Sequence, residues 1–319
     1  MKPVQAFLAR LAFGVLGVLA AAPAWAWPDK PIELVVGFAP GGGTDITART
    51  LATHLGKALG GTVMVANKPG ASGAIGLAYV ARAQADGYTL GMTNMPGLLT
   101  LPIERDAGFK SGDFTYIANL VRDPSAFSVA LDSPFKTLAD LIAAAKRMPG
   151  SISYGSTGVG TDDHLAMVMF EGLTGTKLLH VPFNGAGPLR NALMGKHVSV
   201  SGMNLGEAMP YSGQTVRILA QAGSQRSRLG PEVPSFKEQG VDLVIGSERG
   251  VVGPKGLPAE LEQKLSAAMR LVAEDPEFQN QMKAQFTELD YMPGAEWRKR
   301  LERADAGFRQ MWARKPWTD

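Results

Sequence analysis

The segment Gly155-Ser156-Thr157-Gly158-Val159-Gly160, followed by Thr161, Asp162, Asp163 and His164, carries the residue types of a serine nucleophile, a base and an orienting acid. A nucleophile elbow, G-x-S-x-G, needs glycine at position 154, where the chain has Tyr154, and no oxyanion motif accompanies the serine. A secreted serine hydrolase built on Ser156 and His164 is therefore the weaker reading. Ser156 reads better as a hydrogen-bond donor and Thr161 as a helix N-cap, with His164 one turn into that helix as a polar contact or a packing residue. The four histidines, His54, His164, His180 and His197, have no short metal-ligand spacing. The absence of cysteine rules out disulfides, thiol catalysis and cysteine-ligated metals. No metal and no cofactor is expected, which leaves recognition chemistry.

For recognition, the stretch Val35 to Arg49, VVGFAPGGGTDITAR, is the most informative. An apolar run reads as a buried strand, Pro40 and Gly41-Gly42-Gly43 stop it, and Thr44 and Asp45 open a helix carrying Ile46, Ala48, Leu51 and Leu55 at helical spacing. Glycines let the backbone approach a ligand, and the free N–H groups of a helix's first turn bind anions. A carboxylate or similar anion is the ligand this predicts; the local alternative makes Thr44 an N-cap and Asp45 a first-turn acid. The spacing matches neither the dinucleotide fingerprint nor a phosphate-cradling lysine loop. Arg249 is the second notable residue, since an arginine within the apolar run Leu243 to Val252 needs a partner. The candidates are Glu248 or another hinge carboxylate, and an anionic ligand.

The elements that would position these residues alternate. Helix 44–59, strand 62–66, the small-residue run Ala71-Ser72-Gly73-Ala74, a second helix to Arg82 and strand 88–93 ending at Asn94 make βαβ units, hence a mainly parallel sheet. Pro96 to Gly112 reads as irregular, and Phe114–Val121 and Ala126–Leu131 as strands. From Ser151 the strand, glycine loop and helix recur, followed by strand ends at His180-Val181-Pro182-Phe183-Asn184 and at Asn204. Ligands of such sheets lie beyond the carboxyl ends of the strands, which makes Ser72, Asn94, Asn184 and Asn204 candidates alongside the two glycine loops.

The first 26 residues look like a secretory signal, with Lys2 and Arg10, the apolar run Leu11 to Ala22, and cleavage after Ala24-Trp25-Ala26. The apolar run is shorter than the roughly 20 residues of a spanning helix. Without Lys2 and Arg10 the 32 basic residues come nearly level with the 29 acidic ones, so no nucleic-acid partner is indicated. A chain of 319 residues, 45% hydrophobic, holds enough apolar material for two domains of about 100 to 200 residues. Monomer is the default state.

The segments APGGGTDITAR, NKPGASGAIG, ADGYTLGMTN, YGSTGVGTDDHLA, HVPFNGAG, PEVPSFKEQGVD and RGVVGPKGLP, together with the export signal, follow the order and spacing of the Bug family. These are extracytoplasmic receptors of tripartite tricarboxylate transporters, and the chain resembles them from about residue 28 to its C-terminus. The resemblance implies an α/β, two-domain periplasmic-binding-protein-like fold (type II, Venus flytrap) with mainly parallel sheets flanked by helices. Domain 1 would comprise 27–127 and 249–319, with domain 2 at 128–248. It further implies a periplasmic, non-enzymatic receptor that passes a small organic carboxylate to membrane permease subunits, with a sensor partner as the alternative. Family ligand contacts carry over to Gly42, Gly43, Thr44 and Asp45, and to Ser156, Thr157, Gly158 and Thr161. The family's G-x-V-D-x-x-F-D segment is altered in Gly195 to Asn204, without either aspartate, which disfavours an amine-bearing ligand. The family's frequent tryptophan two residues before R-G is also missing, since Ser247-Glu248 precedes Arg249-Gly250.

Overall fold

The structure is a computed structural model that describes residues 27–318; the expected signal peptide and its cleavage site lie outside the described residues. The chain opens with two parallel units: β1 (Ile32–Val36), α1 (Gly43–Leu59), β2 (Val63–Asn67), α2 (Ala74–Arg82) and β3 (Thr89–Met92). Ile32, Leu34 and Val36 enter one core and Val35 the other, so the unbroken apolar run is a strand covered on both faces. A short α3 (Gly97–Glu104) follows where an irregular stretch is expected. Pro96 and Pro102 punctuate that sequence, yet Leu98, Leu99 and Leu101 are almost fully buried and packing overrides the missing N–H of Pro102.

The long β4 (Phe114–Pro124) then passes through Ser125 into β5 (Ala126–Ala130), which belongs to a second sheet. That second unit continues with α4 (Leu138–Arg147), β6 (Ser153–Ser156), α5 (Asp162–Thr174), β7 (Leu179–Pro182), α6 (Ala186–Met194), β8 (Val200–Ser201), α7 (Leu205–Ala208) and β9 (Val216–Gln221). The chain returns as β10 (Gly246–Pro254), α8 (Ala259–Glu274), α9 (Pro276–Ala284), β11 (Leu289–Pro293) and α10 (Gly294–Arg314). Strand orders are β2-β1-β3-β10-β4-β11 and β7-β6-β8-β5-β9. The expected two-unit α/β architecture forms, but each sheet is mixed. Pairs joined through helices are parallel, whereas β10 runs antiparallel to β3 and β4, and β5 antiparallel to β8 and β9. Strands that enter from the other unit, without a crossover helix of their own sheet, are free to pair in the opposite sense.

Each sheet has a core on both faces. In the smaller unit Phe127 is the hub, its ring 4.9 Å from Tyr154, 5.0 Å from Phe170 and 4.9 Å from Phe236. No helix among the described residues is long and apolar enough to cross a membrane.

The described tryptophans, Trp27, Trp297, Trp312 and Trp317, all lie in segments of the larger unit. Phe127→Ala is expected to cost about 3–5 kcal/mol in the smaller unit. Urea unfolding followed by far-UV circular dichroism should then begin well before the tryptophan fluorescence changes; coincident curves at the wild-type midpoint would count against two separable cores.

Candidate binding site between the lobes

The loops at the strand ends of the two sheets face one another. Ala39 N–H donates to the Asn184 carbonyl at 3.0 Å, and Gly42 lies against Ala186. Ser72 meets Gly158 so closely that a Cβ on Gly158 would sit 2.4 Å from Ser72 Oγ. Thr100 Oγ1 donates to the Gly160 carbonyl. The side chain of Asn184 is exposed, so its part in this seam is played by its backbone.

In the first glycine loop, α1 begins at Gly43 with Gly42 in the cap position, so Thr44 is not the N-cap. Asp45 is turned inward, its carboxylate accepting from Gly41 N–H (2.9 Å), Arg49 Nε (3.0 Å) and Asn67 Nδ2 (2.8 Å). Burial opposes its charge, but the hydrogen bonds from Arg49, Gly41 and Asn67 outweigh it and hold the carboxyl below its ordinary pKa. Asp45 thus shapes the loop. The N–H of Gly43 donates at 2.7 Å to Glu207 Oε1, from the opposite lobe.

The second loop is organised by Asp163. Its carboxylate accepts from Thr157 N–H (2.5 Å) and Thr157 Oγ1 (2.9 Å), and the Thr161 hydroxyl lies against it while also reaching the Gly158 carbonyl at 2.6 Å. The histidine beside Ser156 is His180, with Nε2 2.6 Å from Ser156 Oγ. His164 instead accepts from Gly160 N–H at 3.1 Å and stacks on His180, ring centroids 4.2 Å apart. The serine–base pair weighed for Ser156 and His164 is not formed, because a residue in the first turn of α5 points back at its own loop. Ser156, Thr157, Gly158, Thr161 and His164 nevertheless make one cluster. Asn94 stands apart at the end of β3, where it accepts from Ser247 Oγ at 2.9 Å.

Arg249 is buried, and Glu248 is not its partner. Neighbours on a strand point to opposite faces: Glu248 meets Arg300 and Trp297 Nε1, while Arg249 faces the lobe interface. There Nη1 donates to Asp123 Oδ2 (3.0 Å), and Nη2 to Asn204 Oδ1 (3.0 Å) and, more distantly, to Glu207 Oε1 (3.4 Å). Its Nε is buried with no partner among the described residues. Asn204 also donates to Asp162 Oδ2 (2.6 Å), which accepts from Ser125 Oγ (2.8 Å) at the crossing between sheets. Burial raises Asp123 to about 6, with Arg249 pulling the other way. Burial, and then mutual repulsion at Asp162, push the adjacent Asp162 and Asp163 upward as well.

Sequence reasoning missed Asp123, Glu207 and His180 as members of the site. One local signal pointed there: Asn204 and Glu207 have capping-box spacing. His54, Asp275 and Glu277 bring ligand-type atoms within 4.8 Å of one another. Both ring nitrogens of His54 are already engaged, with Asp275 and Gln281.

Two α/β lobes linked by paired crossings, with glycine loops at the seam, define the class of two-lobed periplasmic binding proteins. Within that class the family profile described as tripartite tricarboxylate transporter family receptor matches residues 47–301, and the chain belongs to this family. It is 37% identical over 276 residues to a UPF0065 protein of the gbd 5' region of Cupriavidus necator, covering 86% of this chain and 84% of that one. The periplasmic binding protein BugD superposes with a TM-score of 0.84 at 29% identity, covering 90% of this chain and 98% of BugD. R. palustris Rpa4515, in a structure with adipate, gives 0.85 at 28% identity over 90% of this chain and 97% of that one. The family's members are periplasmic receptors of the solute-binding type.

Two outcomes follow from this seam. Gly158 combines φ +137° with the Ser72 contact, so Gly158→Ala is strained by about 1–3 kcal/mol and should prop the lobes apart. Small-angle scattering should give a larger radius with an unchanged circular dichroism spectrum. The second outcome concerns pH. Asp123 keeps its proton in the folded protein up to about pH 6, against about 3.9 in an unfolded chain. Its contribution to stability is fully present below the unfolded value and is lost as pH rises through about 6. Urea midpoints should decline between pH 4.5 and 7.5, less steeply in Asp123→Asn.

Proposed function

We propose that the protein captures a small organic carboxylate between its lobes and delivers it to the permease subunits of a tripartite tricarboxylate-type transporter, after export and removal of residues 1–26. The expected bounds, 27–127 with 249–319 and 128–248, move by two or three residues in this reading, since Phe127 packs in the smaller unit and Gly246 to Glu248 pair with β4; the crossings near Ser125 and Ile245 are the hinge. The observation that carries it is a seam of loops: the loop before α1 meets Asn184 and Ala186 at the start of α6, and the loop before α5 meets Ser72 and Thr100 of the first lobe. In this reading the ligand contacts are the loop ends Gly42 to Asp45 and Ser156 to Thr161, with Ser72, Asn94 and His164 as further polar contacts; the N–H groups of Gly43, Thr157 and Gly158 are held by Glu207, Asp163 and Ser156, and a carboxylate would have to exchange with those acceptors or use the neighbouring groups. Asn184 enters through its backbone. Arg249 and Asn204 fix the register of the lobes in this account, since their polar atoms are turned mainly to Asp123, Asp162 and Glu207. Membership of the family and the adipate-bound relative support the choice of ligand class.

Micromolar affinity corresponds to about −8 kcal/mol, while a helix end supplies about 0.3–2 kcal/mol toward an anion. Hydrogen bonds in a closed, water-poor seam must supply the remainder. Calorimetry with a panel of mono-, di- and tricarboxylates should find a micromolar binder, and mass spectrometry of the purified protein should identify the native acid. Indifference to every anion, coupled with clear binding of a sugar or a cation, would reverse the assignment.

A further inference from the structure

The start of α1, where a ligand carboxylate is expected, already holds one. Glu207 Oε1 accepts from Gly43 N–H at 2.7 Å and lies 3.4 Å from Arg249 Nη2, and Oε2 accepts from Asn204 N–H at 3.1 Å. Glu207 belongs to the second lobe and Gly43 to the first, so one side chain caps two helices and ties the lobes together. Resting on the carboxylate-receptor reading, we propose that Glu207 is a displaceable internal carboxylate: it fills the anion position of the empty receptor, holds the lobes closed, and is turned out when a ligand carboxylate takes its place.

Three features support a displaceable group. Two carboxylates cannot share the helix end, because like charges at such a distance repel in a buried setting. Glu207 also lines a cavity of about 160 Å³ with Gly43, Ile46, Arg190, Tyr211 and Gln285, which gives the side chain somewhere to go. On that wall Arg190, stacked 4.9 Å over the Tyr211 ring, has no carboxylate partner among the described residues and can receive it. Finally, the buried Nε of Arg249 has no partner among the described residues, so a donor is waiting beside the exchanged group. The carrier is suited to movement in its side chain alone: α7 is four residues long, and its backbone is fixed by Gly206 N–H on Asp123 Oδ1 at 2.9 Å.

The ligand gains only the difference between its own contacts and those of Glu207, so this residue limits affinity and selects acids that outcompete an internal glutamate. The test uses the full mature receptor with Glu207→Gln, which keeps shape and polarity but removes the charge, and Glu207→Ala. Circular dichroism and melting serve as controls on folding. Small-angle scattering of the ligand-free Gln variant should show a larger radius than wild type, and calorimetry with adipate as probe should show binding at least about tenfold tighter, the lower bound for removing a charged hydrogen-bonded competitor. An unchanged radius, or adipate binding weakened in a folded variant, overturns the proposal and assigns Glu207 to ordinary capping of α7. If the variant opens while neither protein responds to any mono-, di- or tricarboxylate, the carboxylate-receptor reading falls and the lobe-closing role of Glu207 is supported on its own.

Discussion

A guanidinium stays charged in a protein interior only where carboxylates and amide oxygens surround it, and Arg249 gathers such groups from both lobes at one point. Asp123 comes from the end of β4, Asn204 and Glu207 from the start of α7, and Asp162 follows through Asn204. Removing Asp123 leaves Nη1 of Arg249 desolvated without a partner among the described residues, whereas Nη2 is shared between Asn204 and Glu207. The network therefore favours one registration of the lobes over sliding alternatives, because only that registration satisfies most of these groups together. Asp123 lies close to the crossing at Ser125, and Ser125 itself bonds Asp162, so the same residues that join the lobes covalently also set the electrostatics of the seam.

The charge balance at that point is uneven. Asp123, Asp162, Asp163 and Glu207 are largely buried around a single arginine. Burial penalises ionised carboxyls more than one cation can offset, and the upward displacement of Asp123, Asp162 and Asp163 is the response. Each of these acids is engaged: Asp163 with Thr157 and Thr161, Asp162 with Ser125 and Asn204, Asp123 with Arg249 and Gly206, and Glu207 with Gly43, Asn204 and Arg249. The loops are shaped by these internal carboxylates and by Asp45, which together hold the backbone N–H groups of Gly41, Gly43 and Thr157.

Much of the fold was legible because its punctuation is local. Glycine runs at 41–43 and 155–160 end strands and start helices, and the apolar runs of β1 and the helical spacing of α1 identify themselves within a few residues. The short α3 was hidden because Pro96 and Pro102 speak against a helix in a way that only tertiary burial reverses. The partners of Arg249 were hidden for another reason: Asp123 is 126 residues away in sequence, and Glu248, the near candidate, points to the other face of the strand. Strand alternation alone could have removed Glu248, but no local rule identifies what lies across a seam between lobes. The two glycine loops were visible in the sequence, but Glu207 was not, because it joins them only through the N–H of Gly43 on the facing lobe.

The strand order of the larger sheet also governs when each part of the molecule can assemble. β10 sits between β3 and β4, so until residues 246–254 arrive the sheet exists only as β1, β2 and β3 on one side and β4 on the other. The smaller sheet draws only on residues 126–221 and has all its strands earlier. As the chain emerges from its N-terminus, the inserted unit can therefore close its core first and serve as a scaffold, with the enclosing unit completed around it by residues 246–319.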